Sequence, residues 1–238
     1  MDFEVQGKTI LFVCAHPDDL EFCFGGTVAK WAGEGASIYY LILTDGSKGC
    51  EDPQLDPTEL IKTRQREQDE AAKILGVKKV IFLDHVDGEL ENNPKLRKQI
   101  VRVIRKIKPD IVVTMDPTFV YDEKYGIINH PDHRVAGQTT LDSVYPFARN
   151  HRAFPELLDE GLTPHHVSDI LLFNSLRMNF FVDIEDTLAK KLKALNCHKS
   201  QFKDPQAVEK LVILVAQNAG KKAKLKYAEG LTWVHINF

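Results

Sequence analysis

Thr9-Ile10-Leu11-Phe12-Val13-Cys14-Ala15 runs without a break into His16-Pro17-Asp18-Asp19-Leu20-Glu21. The first seven residues are almost all β-branched or large and apolar, as a strand buried on both faces requires. Pro17 biases His16 towards an extended backbone, so the strand ends at the imidazole and does not pass straight into a helix. Gly25-Gly26-Thr27, followed by Val28, Ala29, Trp31 and Ala32, reads as the entry to a helix. A strand, a turn loaded with His and Asp, then a helix is where an open α/β sheet places its chemistry.

The same alternation continues outward from that stretch. Gly33-Glu34-Gly35 closes the first helix, and residues 37–43 form a second strand ended by Thr44-Asp45-Gly46-Ser47. Lys48 to Pro57 reads as a polar surface loop. Thr58 is placed to cap a helix running to Leu75, with Gly76 as its terminator. Strands follow at 80–83 and 111–115, separated by a helix over about 94–106 with apolar residues at helical spacing. Residues 119–128 are irregular and aromatic. Asn129-His130-Pro131-Asp132-His133-Arg134 then opens a helix to about Val144, and 147–164 reads as a covering loop. Two short strands (169–174 and 180–184) and two helices (about 185–197 and 205–219) complete the pattern. Alternation of this kind predicts an α/β, Rossmann-like fold: a mainly parallel sheet with helices on both faces and functional loops at the strand C-terminal ends. No linker is long enough to divide the chain, so residues 1–238 are expected to form one domain.

Composition narrows the partners. Hydrophobic residues make up 43% and charged residues 27%, the proportions of an ordinary globular protein. A net charge of −3 argues against a sequence-independent nucleic-acid binder, which needs a basic surplus. No apolar run approaches the ~20 residues of a membrane span, and the N-terminus lacks signal-peptide features. The expectation is a cytoplasmic protein whose four cysteines are reduced thiols.

Two dense clusters carry the chemistry: His16, Asp18 and Asp19 in one, His130, Asp132 and His133 in the other. Each of the three carboxylates could merely cap a helix. Caps do not call for neighbouring histidines, however, and both clusters share the order His-Pro-Asp. Catalytic zinc takes three His or carboxylate ligands and leaves a position open. The clusters lie more than a hundred residues apart, so only the fold can join them, and two loops at the C-terminal edge of one parallel sheet could do so.

Ala15-His16-Pro17-Asp18-Asp19-Leu20-Glu21 with Gly25-Gly26-Thr27, and His130-Pro131-Asp132-His133, resemble the two signatures of the PIG-L/LmbE zinc-dependent N-deacetylases. Thr44-Asp45-Gly46, Arg64-x-x-Glu67-x-x-x-Ala71-x-x-x-Leu75-Gly76, Asp87-Gly88, His198-x-Ser200-Gln201 and Tyr227-Ala228-Glu229 extend the likeness along most of the chain. The resemblance implies hydrolysis of an acetamide on an N-acetylglucosamine-type sugar or glycoconjugate. It also implies one zinc per chain, held by His16, Asp19 and His133. Asp18 would be the general base, a protonated His130 would assist at the oxyanion or leaving group, and Asp132 would orient His130. Arg64 matches a position that contacts substrate in some relatives. A small amino-sugar is the implied partner, and a homo-oligomer is compatible with the family. Two other readings use the same residues: a two-metal phosphoesterase, and a sugar-binding domain without catalysis.

Overall fold

The computed structural model describes residues 3–50 and 52–237; Met1 and Asp2, where the N-terminal segment read above begins, lie outside it, as do Glu51 and Phe238. Thr9–Cys14 (β1) is an interior strand of the main sheet. Ile10, Leu11, Phe12 and Val13 are all fully buried, because helices cover both faces of a parallel sheet and leave no strand side wet. After β1 come Asp19–Gly33 (α1), Ser37–Thr44 (β2), Pro57–Leu75 (α2), Lys79–His85 (β3), Pro94–Ile107 (α3) and Ile111–Met115 (β4). The short pair Tyr121–Asp122 (β5) and Ile127–Ile128 (β6) forms an antiparallel hairpin within the segment expected to be irregular. Pro131–Val144 (α4), the short Glu156–Asp159 (α5), Asp169–Phe173 (β7), Phe180–Asp183 (β8), Leu188–Leu195 (α6), Pro205–Ala223 (α7) and Ala228–His235 (β9) follow.

The main sheet has the order β3-β2-β1-β4-β7-β9-β8. Its first five strands are parallel, with Ile10 registered against both Ile38 of β2 and Ile111 of β4. The chain builds outward from β1 to β2 and β3, then crosses back to β4 on the other side. This reversal makes the C-terminal ends of β1 and β4 the switch point of the sheet, the place where such folds bind ligands. His16 leaves the end of β1, and the segment carrying His130 and His133 follows β4.

Three features differ from the sequence reading. Helix α1 begins at Asp19, not at the double glycine, because Asp18 at φ 95° turns the chain within one residue. The glycine signal has a different cause: the Gly26 and Thr27 N–H groups donate to the Glu229 carboxylate at 3.1 and 2.6 Å. A Cβ on Gly25 would lie 2.9 Å from Lys191 Cγ, and one on Gly26 would lie 2.8 Å from the Ile184 side chain. Second, Asp56 rather than Thr58 caps α2, accepting from the Thr58 N–H at 2.8 Å. Third, β9 was not foreseen. It fills a gap between β7 and β8 and runs antiparallel to both, so the far third of the sheet departs from the parallel pattern. Glu229 and Gly230 weaken its strand signature, and its pairing on both sides supplies what the local sequence lacks.

Candidate metal centre

The end of β1 and the start of α4 bring three donors together. His16 Nδ1 and His133 Nε2 are 3.2 Å apart. Asp19 Oδ1 lies 3.2 Å from His133 Nε2, and Asp19 Oδ2 lies 3.6 Å from His16 Nδ1. Four donors placed tetrahedrally ~2.0–2.1 Å from one ion are spaced at about the same interval, so the residues fit a divalent cation. His130 borders the same point, its ring centroid 4.7 Å from that of His16.

Each imidazole is oriented from behind. The His133 Nδ1 faces Asn129 Oδ1 at 3.0 Å, leaving Nε2 for the cluster, and Asn129 is itself held by the hydrogen bond its Nδ2 donates to the Phe119 carbonyl. His16 Nε2 lies 3.1 Å from Asp87 Oδ1 and 3.4 Å from Asp132 Oδ2. Carboxylates behind a ligating imidazole fix its tautomer and raise its basicity. Burial works against a charge on His16, but Asp132, Asp19 and Asp87 together push its pKa up to about 12. Their field favours positive charge at this point, which a divalent cation would supply.

The three carboxylates suspected of capping do not cap their own helices. Asp19 Oδ2 accepts from the His16 N–H at 2.7 Å. Asp18 makes no side-chain cap on α1; its carboxylate takes the Arg64 Nη2 at 3.1 Å. Asp132 accepts from Gly88 N at 2.6 Å and Leu90 N at 3.3 Å, in the loop after β3.

The Asp132 contacts also change one expected role. Its carboxylate turns towards His16 and the β3 loop, and only its backbone N–H meets His130, donating to Nδ1 at 3.2 Å. With Nδ1 accepting, the neutral His130 ring carries its proton on Nε2. Burial and the neighbouring His16 charge lower the His130 pKa from the usual imidazole value. His130 is solvent-exposed at the mouth, within reach of an incoming molecule.

Asp18 is an aspartate whose pKa is raised to about 6. Burial is the main cause, Arg64 opposes it, and the like charge of Asp19 adds to it. Asp19 itself is held below the usual carboxylate range; burial pushes up, but His133 and His16 outweigh it. A positive φ at a non-glycine residue costs ~1–3 kcal/mol and persists only where the surroundings enforce it.

Arg64, expected from the resemblance to contact substrate, lies against the turn after β1. It is 3% exposed, and its guanidinium donates to the Pro17 carbonyl, the Gly46 carbonyl and Asp18 at 2.7, 2.8 and 3.1 Å. These bonds tie α2 to the turn after β1. Asp87, which the sequence offered only within the Asp87-Gly88 likeness, and Asn129, the leading residue of the second cluster, contact His16 and His133 without having been given a role.

With the site described, known proteins can be set beside it. The PIG-L family model, described as GlcNAc-PI de-N-acetylase, matches residues 11–144. This chain belongs to the PIG-L family. A diacetylchitobiose deacetylase of Thermococcus kodakarensis is 38% identical over 98% of this chain and 88% of its own length. The solved N,N'-diacetylchitobiose deacetylase of Pyrococcus horikoshii, bound to an inhibitor, superposes with a TM-score of 0.89 at 34% identity, covering 98% of this chain and 88% of that one. A 4-carboxy-2-hydroxymuconate hydratase from Pseudomonas putida has a TM-score of 0.81 at 22% identity, covering 97% of this chain and 98% of that one. The hydratase likeness speaks to fold alone, and shows that this fold hosts more than one reaction. Among the described residues no helix is long and apolar enough to cross a membrane.

Proposed function

We propose that this chain is a zinc-dependent N-deacetylase that releases acetate from a small N-acetylglucosamine-type sugar, with N,N'-diacetylchitobiose as the first substrate to test. The observation that carries the reading is the convergence of His16 Nδ1, Asp19 and His133 Nε2 beside an Asp18 carboxylate that caps nothing and is held by Arg64. The similarity to two diacetylchitobiose deacetylases over nearly the whole chain supports the choice of substrate.

Bound zinc would supply a Lewis acid that polarises the acetamide carbonyl and acidifies water. Asp18 takes the proton from the attacking water and delivers it to the departing nitrogen. A carboxylate with a pKa of about 6 suits both halves of that task near neutral pH. His130 donates its Nε2–H to the oxygen on which negative charge develops. Arg64 is the positioning residue of the base, and Asp87 and Asp132 hold the His16 ring. Asp132 therefore acts through His16 and not through His130.

The test is acetate release from a panel of N-acetylglucosaminides by the zinc-loaded protein, with bound metal counted by mass spectrometry. One ion per chain and release from at least one acetamide are expected. Two ions about 3.5–4 Å apart with phosphoester cleavage would instead identify a phosphoesterase, and sugar binding without any release would remove the enzyme.

A further inference from the structure

Arg64 and Gln68 lie one turn apart on the same face of α2, and both reach the turn that carries Asp18. Arg64 takes the carboxylate. Gln68 takes the backbone, its Oε1 accepting the Asp18 N–H at 2.9 Å. The Gln68 amide has its direction set from the other end. Its Nε2 donates to both oxygens of Glu21, each 3.0 Å away, which obliges Oε1 to face Asp18. Glu21 Oε2 in turn meets His198 Nε2 at 3.2 Å. Glu67, the residue before Gln68, accepts from Ser200 N at 2.9 Å and Ser200 Oγ at 2.6 Å. It thereby pins the turn on which His198 sits.

Glu21, Gln68 and His198 have no exposed surface. Burying a carboxylate, an amide and an imidazole is costly unless every member is satisfied, and an apolar filling would hold α1 against α2 with less risk. This chain of polar groups ends at the one residue in the site whose backbone is strained, Asp18 at φ 95° and ψ −27°. Helix α2 holds that residue at two points: Arg64 takes its carboxylate and Gln68 takes its N–H.

We infer that Glu21, Gln68 and His198 are positioning residues: a buried hydrogen-bonded chain from His198 through Glu21 and Gln68 to the Asp18 amide holds the general base in its left-handed turn. The inference rests on the reading of Asp18 as base. Its polarity can be reversed at constant charge. In the exchange variant Glu21→Gln with Gln68→Glu, the new carboxylate at 68 can accept from the Asp18 N–H and from the new amide at 21. That amide's oxygen can still accept from His198.

The experiment compares Gln68→Met, Gln68→Glu and the exchange variant with wild type, using N,N'-diacetylchitobiose as substrate. Gln68→Met is expected to lower kcat by about 10²-fold, the scale of a misplaced reacting group, with KM and bound zinc unchanged. Gln68→Glu keeps the volume but sets two carboxylates face to face; it should show the same loss and serves if the methionine variant does not fold. The exchange variant should recover most of the lost kcat. Amide hydrogen exchange at Asp18, read in the metal-free protein, should accelerate in the single variants and slow again in the exchange variant. A folded Gln68→Met protein with kcat within about twofold of wild type overturns the inference. So does an Asp18 amide that stays protected, or a kcat loss that merely tracks zinc loss or melting. The exchange measurement involves no catalysis, so it is distinguishable from failure of the base assignment, which Asp18→Asn would reveal by retaining turnover.

Discussion

The two His-Pro-Asp turns of this protein share a tripeptide and use it in opposite ways. In the turn after β1, His16 points inward and is buried, and the carboxylate of the third residue, Asp18, is held by Arg64 beside the cluster. In the turn before α4, His130 points outward and is exposed, and the third residue, Asp132, is buried behind the cluster. The cause is backbone geometry. Asp18 takes a positive φ and swings α1 away from the end of the strand. His130, at φ −58°, is instead an ordinary N-cap followed by proline at the first helical position. The same three residue types are therefore proposed to act as a ligand and a base in one place, and as a donor and a carboxylate behind a ligand in the other.

Substitution tests this division of labour directly. The largest effect is expected at the inner positions: His133→Ala should lose stoichiometric zinc and with it all measurable acetate release, while His130→Ala keeps its zinc. Equal metal loss in both would erase the distinction between the turns. Asp18→Asn should retain metal and lose about 10²–10⁴-fold in kcat, the range of general acid–base catalysis. Its partner by sequence, Asp132→Asn, should act chiefly on metal affinity. His130→Ala should cost about 10²–10³-fold, as for removal of one donor to a developing oxyanion, measured as kcat at saturating substrate.

Behind the cluster the effects are smaller. Asp87→Asn should weaken zinc binding by about 10–100-fold in chelator competition, and an unchanged affinity would mean that Asp87 only shapes its turn. The smallest effect concerns pH and stability. Burial acts to lower the His198 pKa, but the adjacent Glu21 carboxylate and other acidic neighbours raise it above the usual imidazole value. A raised folded-state pKa makes the stabilisation complete below the unfolded value of ~6.5 and progressively lost as pH rises through the folded one. Wild type should therefore out-melt Glu21→Gln by a larger margin at pH 6 than at pH 9; equal margins would show that His198 carries no extra proton in the folded state.

Much of the fold was legible because parallel-sheet strands and their crossover helices have simple patterns. Ile10 to Val13 and Ile111 to Met115 read as buried strands because both of their faces are dry. The helix over Pro94–Ile107 was plain from Leu96, Ile100, Val103 and Ile104. β9 escaped because Glu229 and Gly230 serve α1 and a close approach to Met178 and Phe181 rather than strand propensity. The start of α1 was misplaced for a related reason: Gly25 and Gly26 mark close packing, not a helix entrance.

The sequence by itself determined that two His/Asp turns follow strands of one α/β sheet, because strand and helix periodicities and proline's constraints are local. Tertiary structure alone decided which of those side chains meet. The backbone torsion at Asp18, the reach of Arg64 and Gln68 across from α2, and the closure of Asp87 on His16 arise between residues far apart in the chain. Spacing along a polypeptide carries no record of such contacts; only packing at the sheet edge creates them.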